Sequence, residues 1–333
     1  VRLIAELSCN HQGTLARARE LVHAAALAGA SGIKLQTWTP GTMTAAPHVL
    51  LKGPWAGREL SELYAEAHTP WEWHEPLFQA AREHGLEAFS SVFDLQALAF
   101  LEGIGCPRYK IASFELVDLP LIDAVARTGK PLVLSTGMAS SAEIQQAVDV
   151  ATSAGLGDIT LLKCTSAYPA DGSQANLAAM VQMGYRHSCV HGLSDHTPGI
   201  GVAIVAASLG AVMIEKHFTL SRAAGGLDAE FSIEPEELAV LAREIKHVEK
   251  CMGKPQYGPT EDEKPQLELR RSLYFARDVP AGAEIREKDL RTARPALGIS
   301  PRFFRRVQGM KLLRAVQQGE PVTWDALERK LIA

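Results

Sequence analysis

Cysteine is scarce in this chain and never clustered. The five are Cys9, Cys106, Cys164, Cys189 and Cys251. None forms a C-x-x-C pair and the number is odd, which argues against a zinc knuckle or a disulfide framework. Reduced, mostly buried thiols are the expectation. No apolar run approaches the ~20 residues that a membrane helix needs. Positive charge is not in excess: 34 Lys and Arg face 38 Asp and Glu, a net charge of −4. That leaves no electrostatic footprint for nucleic acid, and neither end carries a run of one sign. The chain enters an apolar strand pattern within a few residues, so no signal peptide is expected. A cytoplasmic protein with neither membrane nor nucleic-acid partner follows. Walker A, G-x-S-x-G and H-E-x-x-H patterns are also missing. With 47% hydrophobic and 22% charged residues over 333 positions, one large domain and a small one fit.

Eight short apolar runs are present instead, and nearly every one ends in polar residues suited to chemistry. They are 4–7, 32–36, 87–91, 108–113, 131–136, 159–166, 189–196 and 211–218. Segments of helical period lie between them, at 15–30, 70–85, 95–105, 119–129, 141–155, 198–211 and 234–253. Several end at Gly, as helix C-caps do. Ser140 and Ser141 are N-cap candidates, with Glu143 and Glu236 suited to first turns. Strand then helix, eight times in about 250 residues, predicts an α/β fold, the (β/α)8 TIM barrel. An open doubly wound sheet is the alternative. Closure is favoured because it brings together polar residues from well-separated strands.

The insertion 40–69 is rich in Pro, Gly and Trp and is expected to form a long loop on the rim. Composition shifts after Cys251. The domain plan is therefore a barrel over 1–252, a linker over 253–268 and a small, mostly β domain over 269–333.

A barrel of this kind carries its site at the C-terminal ends of the strands. His196 and His217 end the seventh and eighth runs among polar neighbours. Imidazole is a common ligand of divalent metals, and two leave positions open for water and substrate oxygens. A hydrogen-bonded barrel-mouth role is the alternative for each. Lys34 and Lys110 lie in strands where an unpaired charge is costly. They either meet a phosphate or carboxylate ligand or pair with Glu6, Glu115 or Glu215. Lys216 precedes His217 and should face the other way. Ser113, Ser135, Ser166 and Ser194 offer hydroxyls at the same rim, and Lys with Ser there suits phosphate. Glu6 and Glu115 are acid/base candidates, with Asp195 and Asp228 as further carboxylates.

The ordered set IAELSCNHQG, GIKLQTWTP, TPWEW, YKIASFE, LSTGM, LLKCTSAYPA, GLSDHTPGIG, IEKHFTL and GGLDAEFS resembles the sialic acid synthase family of phosphoenolpyruvate-condensing enzymes. RRSLYFARDVPAGAEI and ARPALGIS resemble that family's C-terminal antifreeze-like (SAF) domain. The resemblance covers essentially the whole chain. AELS, KLQTWTPGTMT, AHTPWEW and CTSAYP, with Ser166 where the neuraminate enzymes carry Asn, look more like the pseudaminate branch. Asp171 and Leu227 stand where Pro is usual, near the expected sugar pocket.

The resemblance implies a transferase. Lys34, Lys110, Ser113, Ser135, Ser166 and Ser194 would bind phosphoenolpyruvate. His196 and His217 would hold a divalent metal, typically Mn, with Mg or Co as substitutes. Glu6, Glu115, Tyr168 and Asp228 would face an acetamido sugar or the metal-bound water. Arg294 would reach the barrel mouth of a partner in a domain-swapped homodimer. N-acetylmannosamine or the legionaminate precursor is the alternative acceptor. More distant alternatives are a Schiff-base aldolase using Lys110 or Lys163 and a non-catalytic binding scaffold.

Overall fold

A computed structural model describes residues 1–328. The last five residues of the domain expected over 269–333 lie outside the described residues. Two compact units divide at Gly253 and Lys254.

The first unit is a closed barrel of eight parallel strands in sequence order. They are β1 (Arg2–Glu6), β2 (Gly32–Thr37), β3 (Glu87–Val92), β4 (Tyr109–Ile111), β5 (Leu132–Ser135), β6 (Ile159–Cys164), β7 (Val190–Asp195) and β8 (Met213–His217). All eight apolar runs are strands, and the barrel, not the open sheet, is the fold. Alternation decides which residues face inward. In β2, Ile33 and Leu35 are buried in the apolar core while Lys34 joins the polar interior. Register does the rest. Glu6 lies opposite Lys34 on one side and His217 on the other, and Ser194 lies opposite Glu215. Lys216 faces away, as expected, and is fully buried against Asp195 at 2.8 Å.

Helices connect the strands. Leu15–Leu27 is capped by Thr14, and Ser141–Ser153 opens with a capping box of Ser140 and Glu143, so Ser140 is the cap and Ser141 the first helical residue. The helix Leu177–His187 after β6 has no counterpart among the predicted segments. The insertion, expected as a loop, contains the helix Leu60–Ala67 and a short turn at Pro40–Met43. Its base is tied down by Trp71, whose indole donates to Trp38 O at 2.9 Å, and by His74 Nε2, 2.8 Å from Thr37 Oγ1. Burial pulls the His74 imidazole down to about 4, so it is a neutral hydrogen-bonding strut.

The second unit has its own core, built on Leu273, Phe275, Val279, Ile285, Val307 and Val322. Its two-stranded antiparallel sheet pairs β9 (Ser272–Phe275) with β10 (Leu290–Ala293). Isolated bridges add Val279 to Val316, Glu284 to Lys311 and Leu312 to Leu327. The stretch expected as a linker ends in a 3₁₀ turn, Lys264–Leu269, and Glu268 O accepts from Ala296 N at 2.8 Å. Part of it is therefore built into the second unit.

Candidate active site

The barrel floor holds two ammonium groups between two carboxylates. Lys34 Nζ is 2.6 Å from Glu6 Oε2 and donates to Ser91 Oγ at 2.9 Å. Lys110 Nζ donates to both oxygens of Glu215 at 2.7 and 2.9 Å, and Ser194 Oγ adds a bond to Glu215 at 3.1 Å. Burial alone would push the Glu215 carboxyl up. Lys110 and Lys34 outweigh it and hold the group well below its ordinary value. Of the three carboxylates considered as lysine partners, Glu6 and Glu215 serve. Glu115 does not.

Glu115 sits on the turn Ser113–Glu115 after β4, with Oε2 buried and unpartnered among the described residues. Burial raises its carboxyl to about 7, only partly offset by a backbone hydrogen bond and Lys110. A carboxyl with this value near neutral pH can exchange a proton.

Ser113 and Ser166, from the loops after β4 and β6, converge on Gly137 in the loop after β5. Ser113 Oγ accepts from Gly137 N at 3.1 Å. A Cβ at Gly137 would stand 2.1 Å from Ser166 Oγ and 2.8 Å from Ser113 Oγ. The missing side chain leaves room for the two hydroxyls. Ser135 Oγ, buried nearby in sequence at the end of β5, has no partner among the described residues. Hydroxyls and ammonium groups are the donor types that anion binding draws on.

The two predicted histidines meet. The ring centroids of His196 and His217 are 5.3 Å apart. His196 Nδ1 lies 3.0 Å from Thr165 O, which only accepts, so Nδ1 carries a proton. His217 Nδ1 is 3.3 Å from Asp228 Oδ2 and is buried without a hydrogen bond. Asp228 also accepts from Ser8 Oγ at 2.6 Å. Burial would raise the Asp228 carboxyl, but His217, Ser8 and Cys9 keep it below its ordinary value. No cluster of three or more His, Cys, Asp or Glu with metal-binding geometry occurs among the described residues. The fit to a metal therefore rests on the neighbouring histidine pair and the unpartnered His217 nitrogen.

An aromatic wall borders the histidines. The Tyr168 ring lies 4.4 Å from His196, 5.2 Å from Phe231 and 5.5 Å from Trp55. Trp55 comes from the insertion, and its indole donates to Leu227 O at 3.0 Å. Burial pushes the Tyr168 phenol well up, so it stays protonated. Gln36 Nε2 donates to Glu6 Oε1 at 2.6 Å and to Ser8 Oγ at 3.0 Å.

Sequence reasoning missed Ser8, Gln36, Trp55 and Phe231. Only Gln36 carried a usable signal, since it lies two residues beyond Lys34 on the same strand face. Asp195 is spent on Lys216 and Thr197. Asp171 is exposed and accepts from Ser173 N at 2.8 Å, a turn-capping role outside the polar cluster. Lys163 donates to Cys164 O at 2.8 Å. Arg294 lies exposed in the second unit.

Comparison with known proteins fits this arrangement. The NeuB family profile matches residues 21–257 and the SAF domain profile matches 270–328. The chain is 41% identical to the pseudaminic acid synthase of Helicobacter pylori, over 99% of this chain and 98% of that one. It is 35% identical to the N,N'-diacetyllegionaminic acid synthase of Legionella pneumophila, covering 98% and 94%. Among solved structures, the N-acetylneuraminic acid synthetase of Leptospira borgpetersenii, in complex with citrate, superposes with a TM-score of 0.73 at 32% identity, covering 80% of this chain and 90% of that one.

Proposed function

The chain belongs to the NeuB family, and on that premise we propose that it condenses phosphoenolpyruvate with 2,4-diacetamido-2,4,6-trideoxy-β-L-altropyranose and water to give pseudaminic acid and phosphate. The observation that carries the choice of sugar is the 41% identity, over nearly the full length, to a pseudaminic acid synthase. The legionaminate relative, at 35%, keeps a second acceptor as the alternative.

The chemistry follows from the charges. Lys34 and Lys110 are already balanced by Glu6 and Glu215, so an anionic substrate brings charge that the floor does not cancel. A divalent metal held by His196 and His217, manganese in our reading with magnesium or cobalt as substitutes, would supply positive charge and polarise the aldehyde oxygen and a water. Lys34, Lys110, Ser113, Ser135, Ser166 and Ser194 would hold the phosphate and carboxylate of phosphoenolpyruvate. Glu6, Tyr168 and Asp228 would orient the open-chain sugar. The C2–C3 double-bond electrons of phosphoenolpyruvate then form the new bond to sugar C1, and the aldehyde oxygen takes a proton. Water adds at C2 and gives a proton to Glu115. Glu115 passes that proton to the C1 oxygen, and the C2–O bond to phosphate breaks as the C2 hydroxyl gives its proton to the departing phosphate and the keto group forms. Positioning and fixed charges account for most of the gain.

We place Arg294 in the site of a second copy, in a domain-swapped homodimer. The unpaired state of all five thiols suits a reducing compartment, and we assign the protein to the cytoplasm. Among the described residues no helix is long and apolar enough to cross a membrane.

Phosphate release with each candidate acetamido sugar tests the acceptor. Release with the altro sugar at a kcat/KM at least about tenfold above the others is expected. Preference for the legionaminate precursor would move the assignment to that branch. Chelation should abolish condensation, and added Mn or Co should restore it. Full activity in metal-free protein would remove that role from His196 and His217.

A further inference from the structure

Ser8 opens the turn after β1 with φ of 41°. In this left-handed region a Cβ crowds the following carbonyl, so Gly is favoured and Asn or Asp tolerated. Serine has no such preference. A strained non-glycine residue persists where its surroundings demand its side chain. Here the demand is visible, because the buried hydroxyl donates to Asp228 Oδ2 at 2.6 Å and accepts from Gln36 Nε2 at 3.0 Å. Gln36 in turn donates to Glu6 Oε1 at 2.6 Å, and Asp228 lies 3.3 Å from His217 Nδ1. One hydroxyl thus joins Glu6 and Gln36, from the first two strands, to Asp228 in the loop after β8. Without it, the Gln36 amide loses an acceptor and Asp228 loses its short hydrogen bond.

We propose that Ser8 is a positioning residue for the acceptor sugar, setting the spacing of Glu6 and Asp228 across the barrel mouth. The proposal rests on those two carboxylates facing the sugar. Among the described residues, Lys34 is the phosphoenolpyruvate group that touches this chain of hydrogen bonds directly, through Glu6. Loss of Ser8 should therefore act on the sugar and spare phosphoenolpyruvate.

The test compares Ser8→Gly and Ser8→Ala with the unmodified full chain, using steady-state kinetics and thermal unfolding. Ser8→Gly removes the hydroxyl and the strain together. Its thermal midpoint should hold or rise, while KM for the sugar rises about tenfold and KM for phosphoenolpyruvate stays within about threefold. Ser8→Ala should match those kinetics with a lower midpoint than Ser8→Gly, because it keeps the crowded Cβ. Unchanged sugar KM in Ser8→Gly would overturn the proposal. So would equal rises in both KM values, the mark of a merely structural residue. If the unmodified protein uses a different acetamido sugar, the acceptor assignment changes and the same comparison is made with that sugar.

Discussion

At the scale of the residue, the site is defined by which polar groups find partners and which do not. Lys34 and Lys110 were legible from sequence because lysine inside an apolar strand is conspicuous. Their partners were not fixed, since a strand pattern gives a facing direction but not a distance. Glu115 shows the limit more clearly. Its position after β4 was readable, but its burial without a counter-charge was not. That burial raises its carboxyl to about 7. As a base it must lose its proton, so kcat/KM should rise with pH through about 7 and level off above it. Glu115→Gln should abolish that limb and slow turnover by roughly 10²-fold. A pH–rate profile of the two proteins checks this, and an unchanged limb in the variant would assign it to another group. The stability sign is separate. The fold binds the neutral carboxyl better than the charged one. Its contribution is therefore complete below the ordinary value of 4.5 and is lost as pH rises through about 7.

At the scale of the element, strand runs were legible because each is short, apolar and bounded by polar residues. The helix Leu177–His187 was not, for local reasons. It has no side-chain cap, it starts from Asn176 in a left-handed conformation, and it carries Gly184 inside. Glycine weakens helix propensity, but this one is required: a Cβ there would stand 2.3 Å from His191 Nδ1. Tertiary packing overrides local preference. Loops obey the same logic at Gly137, where three βα loops meet around an absent side chain. The backbone of Gly137 does not lie in the left-handed region, so alanine is conformationally tolerated. Its methyl would instead displace the Ser166 and Ser113 hydroxyls. Gly137→Ala should fold with a thermal midpoint within a few degrees of the parent and raise KM for phosphoenolpyruvate about tenfold or more. Calorimetric titration with phosphoenolpyruvate measures the same loss directly. Undiminished binding would place the anion elsewhere on the rim.

At the scale of the whole molecule, the barrel was legible because closure is the simplest way to bring distant strand ends together. The second unit was legible only as a class. Its strand Leu290–Ala293 was not singled out, because its burial is confined to Leu290 and leaves no alternation to read. The same unit carries Arg294, exposed and outside the barrel. If its guanidinium completes the site of a second copy, then each site draws on two chains. A variant with an intact barrel but no Arg294 would be repaired by a partner whose barrel is dead. Arg294→Ala and His217→Ala should each be nearly inactive alone as homodimers. After unfolding together and refolding in equal amounts, half the dimers are mixed, and each mixed dimer holds one site with both parts intact. About a quarter of the unmodified activity should return. Two controls frame that number: refolding each variant alone recovers nothing, and mixing His217→Ala with Glu115→Gln, both barrel lesions, leaves no site in which both residues are intact. Recovery in the first mixture alone assigns Arg294 to its neighbour's site. Absence of recovery, with refolding of the unmodified protein intact, confines each site to a single chain.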